Sequence, residues 1–167
     1  MISFDKTFEH EGDFSNHPND KGGPTRYGIS ARAFGHYFGF EPTAPQMATL
    51  TKSAAELIAR EYYYIAPGFD KLPDRIAVQM FDIGFNMGPS RAWKLLQRVV
   101  GTVEDGIFGP KSWSCFDEVR DAYGLEYVNS ELVSARLAFY EGVIRRDPTQ
   151  AVFERGWRRR AESFLYT

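Results

Sequence analysis

A single cysteine, Cys115, leaves no internal disulfide available to this chain of 167 residues. Three histidines, His10, His17 and His36, have no spacing that resembles a zinc site, so neither a metal nor any other cofactor is expected. An excess of one charge is missing too. Twenty Lys and Arg against 22 Asp and Glu give a net charge of -2, which excludes a bulk electrostatic pull toward nucleic acid and leaves only local charge clusters to act. No window approaches the ~20 apolar residues needed to span a bilayer. The opening MISFDKTFEHEG has neither the basic start nor the apolar run of a signal peptide. The expectation is a protein made soluble in the cytoplasm, which needs a separate route to any substrate beyond the membrane. What is present, 43% hydrophobic and 16% aromatic residues, suffices to pack one domain over residues 1–167, expected to be a monomer.

From residue 53 onward, apolar residues recur at helical spacing with Gly and Pro between the periodic stretches, which predicts a mostly α chain. Ser53 and Glu56 make a capping-box pattern ahead of Ile58, Tyr62 and Ile65, a helix expected to run to about Ala66. Asp74 is expected to cap the next, whose stripe Ile76, Met80, Ile83 and Met87 ends at Gly88-Pro89. Further helices are expected from Ser90 to Gly101 and from Pro110. The longest runs through Leu125, Val128, Leu132, Ala135, Phe139 and Val143, and a last one turns Phe153, Trp157, Ala161 and Phe164 inward. Between Asp13 and Ser30, turn formers crowd out any helical period, so a loop or short hairpin is expected there.

In the first helix, Phe4, Phe8 and Glu11 fall on one face at about 100° per residue, so a carboxylate ends an apolar stripe. An acid turned toward a core is expected to hold its proton more tightly, as a general acid must. Pairing with an arginine, or solvation at a frayed helix end, explains the same pattern without chemistry. The loop that follows adds Asp20 and Thr25 within reach of Glu11, and these three can supply a proton donor and a group that stabilises positive charge or positions water.

The segment FEHEGDFSNHPNDKGGPTRYGIS resembles the opening motif of glycoside hydrolase family 108, in its Glu-Gly, Gly-Gly-x-Thr and Tyr-Gly-Ile elements. The resemblance continues through FDIGFNMG and LQRVVGTVEDGIFGPKSW to ERGWRRR. It implies a lysozyme-like, mainly helical domain with a small hairpin or loop after the first helix, and a catalytic motif at residues 8–30. It further implies an N-acetylmuramidase cleaving the β-1,4 bond between N-acetylmuramic acid and N-acetylglucosamine, with peptidoglycan glycan strands as partner and no nucleic acid. Many such proteins are phage endolysins, which reach the wall after a separate holin-like factor opens the membrane. Glu11 takes the catalytic place of the family's Glu-Gly motif. Phage lysozymes more broadly resemble a Glu, eight residues, Asp, five residues, Thr pattern; Glu11 and Asp20 keep the first gap and Thr25 comes one residue early. Asp13 stands where the family has Gly, so it competes with Asp20 as the second carboxylate and joins the substrate-contacting candidates. A lytic transglycosylase, or a wall-binding protein without catalysis, remains an alternative.

Three further features admit two readings each. Asn86, expected to be a buried amide near the end of its helix, either faces a sugar cleft or pins the helix end. Tyr27 either stacks on a sugar or packs the hairpin. Arg158, Arg159 and Arg160 either form a solvated helix face or make weak contact with anionic membrane or wall polymer. The segment from Leu96-Gln97 to Asp105-Gly106-Ile107-Phe108-Gly109-Pro110 resembles the turn of peptidoglycan-binding helical modules, within a stretch of about 90–167, and a plain turn before a helix explains the same residues.

Overall fold

The structure is a computed structural model that describes residue 7, the backbone of 14–15, and 24–165. The chain forms two compact units, Met1–Pro89 and Ser90–Thr167. The sequence predicts a single domain with a distinct helical segment from about residue 90.

In the first unit, β1 (Phe14–Ser15), β2 (Thr25–Arg26) and β3 (Ile29–Ser30) pair antiparallel in the order β1-β2-β3. Phe14 lies opposite Arg26 and Ser15 opposite Thr25; Thr25 then faces Ser30 and Arg26 faces Ile29. Three strands of two residues make a small sheet, anchored at its end by Ile29, which is fully buried. Ser30 closes β3 and caps α1 (Ala31–Phe38), its hydroxyl accepting from the Ala33 amide at 3.3 Å. Gly39, at φ 77°, ends that helix.

After the short α2 (Ala44–Ala48) comes α3 (Lys52–Arg60), which is capped by Thr51 rather than Ser53. The Thr51 hydroxyl accepts from Ala54 N at 3.2 Å, and Ser53 lies inside the helix. The helix then widens into a π-helical turn over Glu61–Ile65. That turn breaks the 3.6-residue period, which is why Tyr63 and Tyr64 are buried while Tyr62 and Ile65, expected on the inner face, are only half-buried.

A 3-10 turn, Phe69–Lys71, leads into α4 (Asp74–Met87), in which Asp74 is the first helical residue and Pro73 takes the cap position. Ile76, Met80 and Ile83 are fully buried, as their spacing predicts. The burial extends well beyond that stripe, to Ala77, Gln79, Phe81, Asp82, Gly84 and Phe85, so this helix is enclosed on nearly all sides. Gly84 makes the enclosure possible, since a Cβ there would stand 2.8 Å from Phe69 Cε2 and 3.5 Å from the Tyr63 carbonyl oxygen.

The second unit opens with α5 (Pro89–Val99) and continues with α6 (Pro110–Arg146), whose 37 residues are interrupted at Gly124 (φ 85°, ψ 163°). A 3-10 turn, Pro148–Phe153, capped by Asp147, precedes α7 (Glu154–Glu162). Its core joins Val128, Leu132, Val133, Ala161 and Phe164. Phe153, expected inside, is 53% exposed because it ends the 3-10 turn, where the helical period leading to Trp157 has not yet begun. Inside this core, Asn129 Nδ2 donates to the Phe164 carbonyl at 2.7 Å, and the fully buried Arg136 donates through Nε to the Tyr140 hydroxyl at 3.0 Å. The Arg136 guanidinium also lies against the rings of Tyr140 and Phe164, at 5.8 and 5.9 Å, so its charge is buried among polarisable partners.

Candidate active site

The hairpin β2–β3 turns at Tyr27 and Gly28, whose φ values of 48° and 73° are both left-handed. Such a pair suits a two-residue hairpin loop, because its backbone twist matches that of the flanking strands. Gly28 adopts it freely; a tyrosine there is held in a conformation that L residues rarely adopt. Ala31 N donates to the Pro24 carbonyl at 3.0 Å and closes the base of the hairpin. The Arg26 guanidinium lies 5.1 Å from the centre of the Tyr27 ring, with Nη2 donating to the Tyr27 hydroxyl at 3.5 Å, a long contact that positions more than it binds. The turn therefore presents the half-buried Tyr27 ring at its tip and Thr25 one strand residue away, directly opposite Ser30.

Of the sequence-derived candidates, Thr25 and Tyr27 are thus brought into one hairpin. Asn86 is not the buried amide expected. It is exposed, because it lies on the last turn of α4, where the enclosing core has ended; Gln79, two turns earlier on the same face, is buried. Glu11, Asp13 and Asp20 lie outside the described residues.

The inward polar groups of α4 are instead Gln79 and Asp82, which the periodicity did not single out. Asp82 is 1% exposed and accepts a hydrogen bond from the Thr7 hydroxyl at 2.9 Å. Thr7 is itself buried and helical. This bond ties the amino-terminal segment, four residues before Glu11, to the most enclosed helix of the unit. The signal for it lay in Met80-Phe81-Asp82-Ile83, since an acid set in an apolar run is rarely buried without a partner. Nearby in sequence, burial pushes the Tyr64 phenol up, an effect that Asp70 and Asp74 reinforce, so it stays a protonated donor.

In the second unit the Asp105-Gly106 turn is a closed hydrogen-bond system built on Gln97, at the start of the segment that the sequence singles out. The Gln97 amide nitrogen donates to Asp105 Oδ1 at 2.7 Å and to the Ile107 carbonyl at 3.0 Å, while its oxygen accepts from Gly106 N at 2.8 Å. Asp105 also accepts from Ile107 N at 2.8 Å. The Gln97 amide, and next the Ile107 amide, hold the Asp105 carboxyl below the usual range. Gly106, at φ 83°, brings its Cα so near Ser90 that a Cβ would stand 2.6 Å from the Ser90 hydroxyl oxygen. Phe108 stacks on Trp93 at 4.5 Å and meets Trp113 edge-on at 5.0 Å. These residues fold the turn onto α5 and the start of α6.

The three consecutive arginines do not share one surface. Arg160 is buried, Arg159 is exposed, and Arg158 sits between Glu141, Glu154 and Glu162 at 3.5–3.8 Å. Among the described residues no group of three His, Cys, Asp or Glu side chains could hold a metal ion, and no helix is long and apolar enough to cross a membrane.

Two family models match the chain and divide it where the fold does. The model described as glycosyl hydrolase 108 matches residues 4–88, and one described as a predicted peptidoglycan domain matches residues 91–162. The chain is similar to the solved structure of Brucella abortus SagA, with 32% identity and a TM-score of 0.78 over 98% of this chain and 91% of that one. No curated protein matches.

Proposed function

The chain belongs to the glycosyl hydrolase 108 family, and from that premise we propose that it is a lysozyme, an N-acetylmuramidase that cleaves the β-1,4 bond between N-acetylmuramic acid and N-acetylglucosamine. It is a glycoside hydrolase, and its partner is peptidoglycan. What supports the finer reading is that the family match over residues 4–88 includes the motif from Phe8 to Ser30, in which the resemblance implies that Glu11 is the catalytic acid.

In this reading the Glu11 carboxylic acid gives its proton to the glycosidic oxygen as the carbon–oxygen bond breaks. The positive charge left on the sugar is met by the Asp20 carboxylate, with Asp13 the competing group, and water completes the hydrolysis. Thr25, on the strand leading to the turn, orients that water or carboxylate. Tyr27, at the turn, offers a ring face and a hydroxyl to the sugar. Asn86 contributes from the exposed end of α4. The left-handed backbone of Tyr27 supports this role, since strain of this kind gathers at working sites. The setting proposed is that of a phage endolysin, held in the cytoplasm until a holin-like factor admits it to the wall.

The test is Glu11→Gln, which keeps shape and removes the proton. We expect muropeptide release from purified sacculi to fall by at least about a thousandfold, with the circular dichroism spectrum unchanged. A folded variant that still digests sacculi would remove Glu11 from the mechanism.

A further inference from the structure

We propose that Tyr123 and Tyr127, on α6 of the second unit, form a saccharide-binding platform that grips an N-acetylglucosamine face of the glycan strand apart from the catalytic motif. The proposal rests on peptidoglycan being the substrate. It adds a site where the match to a peptidoglycan domain says nothing of which residues bind.

The two rings lie side by side in a tilted arrangement, with centroids 4.8 Å apart and planes inclined by 34°. Tyr123 is 65% exposed and Tyr127 41%, although each carries a large apolar face that folding would ordinarily hide. They flank the break at Gly124, whose φ of 85° interrupts α6 between them; the following turn buries Val128 and Asn129 in the core. Tyr127 thus adjoins a buried turn, while residues 121–124 and Glu126 are exposed and Leu125 is half-buried, so both rings stand at the surface beside that turn.

Area and charge together select the occupant. The exposed parts of the two rings come to about 200–250 Å², on the order of one tyrosine's surface. That matches one or two sugar rings and falls far short of the ~800 Å² per partner that a stable protein interface or a second copy would bury. The stretch of α6 that carries them is acidic in sequence: residues 111–131 include Asp117, Glu118, Asp121, Glu126 and Glu131 against Lys111 and Arg120. Arg120 is occupied by Asp117 at 2.6 Å and by Asp121 at 2.8 Å, and Lys111 lies about three turns upstream of Tyr123. A phosphate polymer, an anionic lipid surface or nucleic acid would be repelled. N-acetylglucosamine carries no charge and offers axial C–H groups to a ring face.

The test uses the full chain carrying Glu11→Gln, so that substrate is not consumed. Binding is measured by co-sedimentation with purified sacculi and by calorimetry with a β-1,4-linked N-acetylglucosamine tetramer. Tyr123→Ala with Tyr127→Ala is expected to weaken sacculus binding about tenfold, and the corresponding Phe pair to keep it within about threefold, since Phe retains the ring face. The single Ala variants stand in if the double does not fold. Unchanged binding in folded Ala variants would overturn the platform. So would an equal loss in the Phe pair, or sacculus binding that collapses with salt as a phosphate contact would. Muropeptide release by the wild type, measured in parallel, reports on the hydrolase reading separately: release without Tyr-dependent binding sinks only the platform, and Tyr-dependent binding without release sinks only the catalysis.

Discussion

Single residues decide more in this chain than their side-chain classes suggest. Asp82 is an acid in the most enclosed helix, and its bond to Thr7 spans 75 positions of sequence. Asp82→Ala would strand the buried Thr7 hydroxyl and leave a cavity, so we expect a loss of about 2–3 kcal/mol in urea unfolding, with Asp82→Asn, which keeps an acceptor oxygen, losing less. Equal losses for the two would mean that the hydroxyl bond contributes nothing. Gly84 acts through absence: its missing Cβ admits the Phe69 ring, and Gly84→Ala is expected to cost about 1–3 kcal/mol through overpacking, read by the same urea titration.

Among the elements, the Asp105-Gly106 turn has a measurable dependence on pH. Its carboxyl is held below the ordinary value of about 3.9 by the Gln97 and Ile107 donors, so its contribution is fully present above that value and is lost as pH falls through the lower folded-state value. Wild-type thermal midpoints should therefore drop as pH falls below about 4, and Asp105→Asn should show a shallower drop over that range. An identical profile would mean that the Gln97 system is indifferent to the charge. The π-helical turn at Glu61–Ile65 has a different consequence, since one extra residue in the turn exchanges which of four successive side chains, Tyr62 to Ile65, meet the core.

For the molecule as a whole, the division at Pro89 separates a glycosyl hydrolase part from a peptidoglycan part carried on the same chain. Mass spectrometry of the products is the test at this scale. Hydrolysis by water leaves a reducing N-acetylmuramic acid end, which we expect in wild-type digests, whereas anhydro-muramic ends would assign the chain to transglycosylase chemistry instead.

Period and punctuation in the sequence were enough for a mainly helical chain, the Ile76–Met80–Ile83 stripe of α4, the hairpin that ends at Ser30 and the break between helices at Gly88-Pro89. These features depend on neighbours within a few residues, and local backbone preferences report on them. The motif from Glu-Gly to Tyr-Gly-Ile likewise carries the family signature in the sequence alone. The pattern did not extend to the burial of Asp82, the exposure of Asn86 and Phe153, the cap at Thr51, or the scattering of Arg158, Arg159 and Arg160 into three environments. Each depends on what a side chain meets after the chain has closed on itself, such as Thr7 against Asp82 or three carboxylates around Arg158, and contacts between residues so far apart leave no period to read.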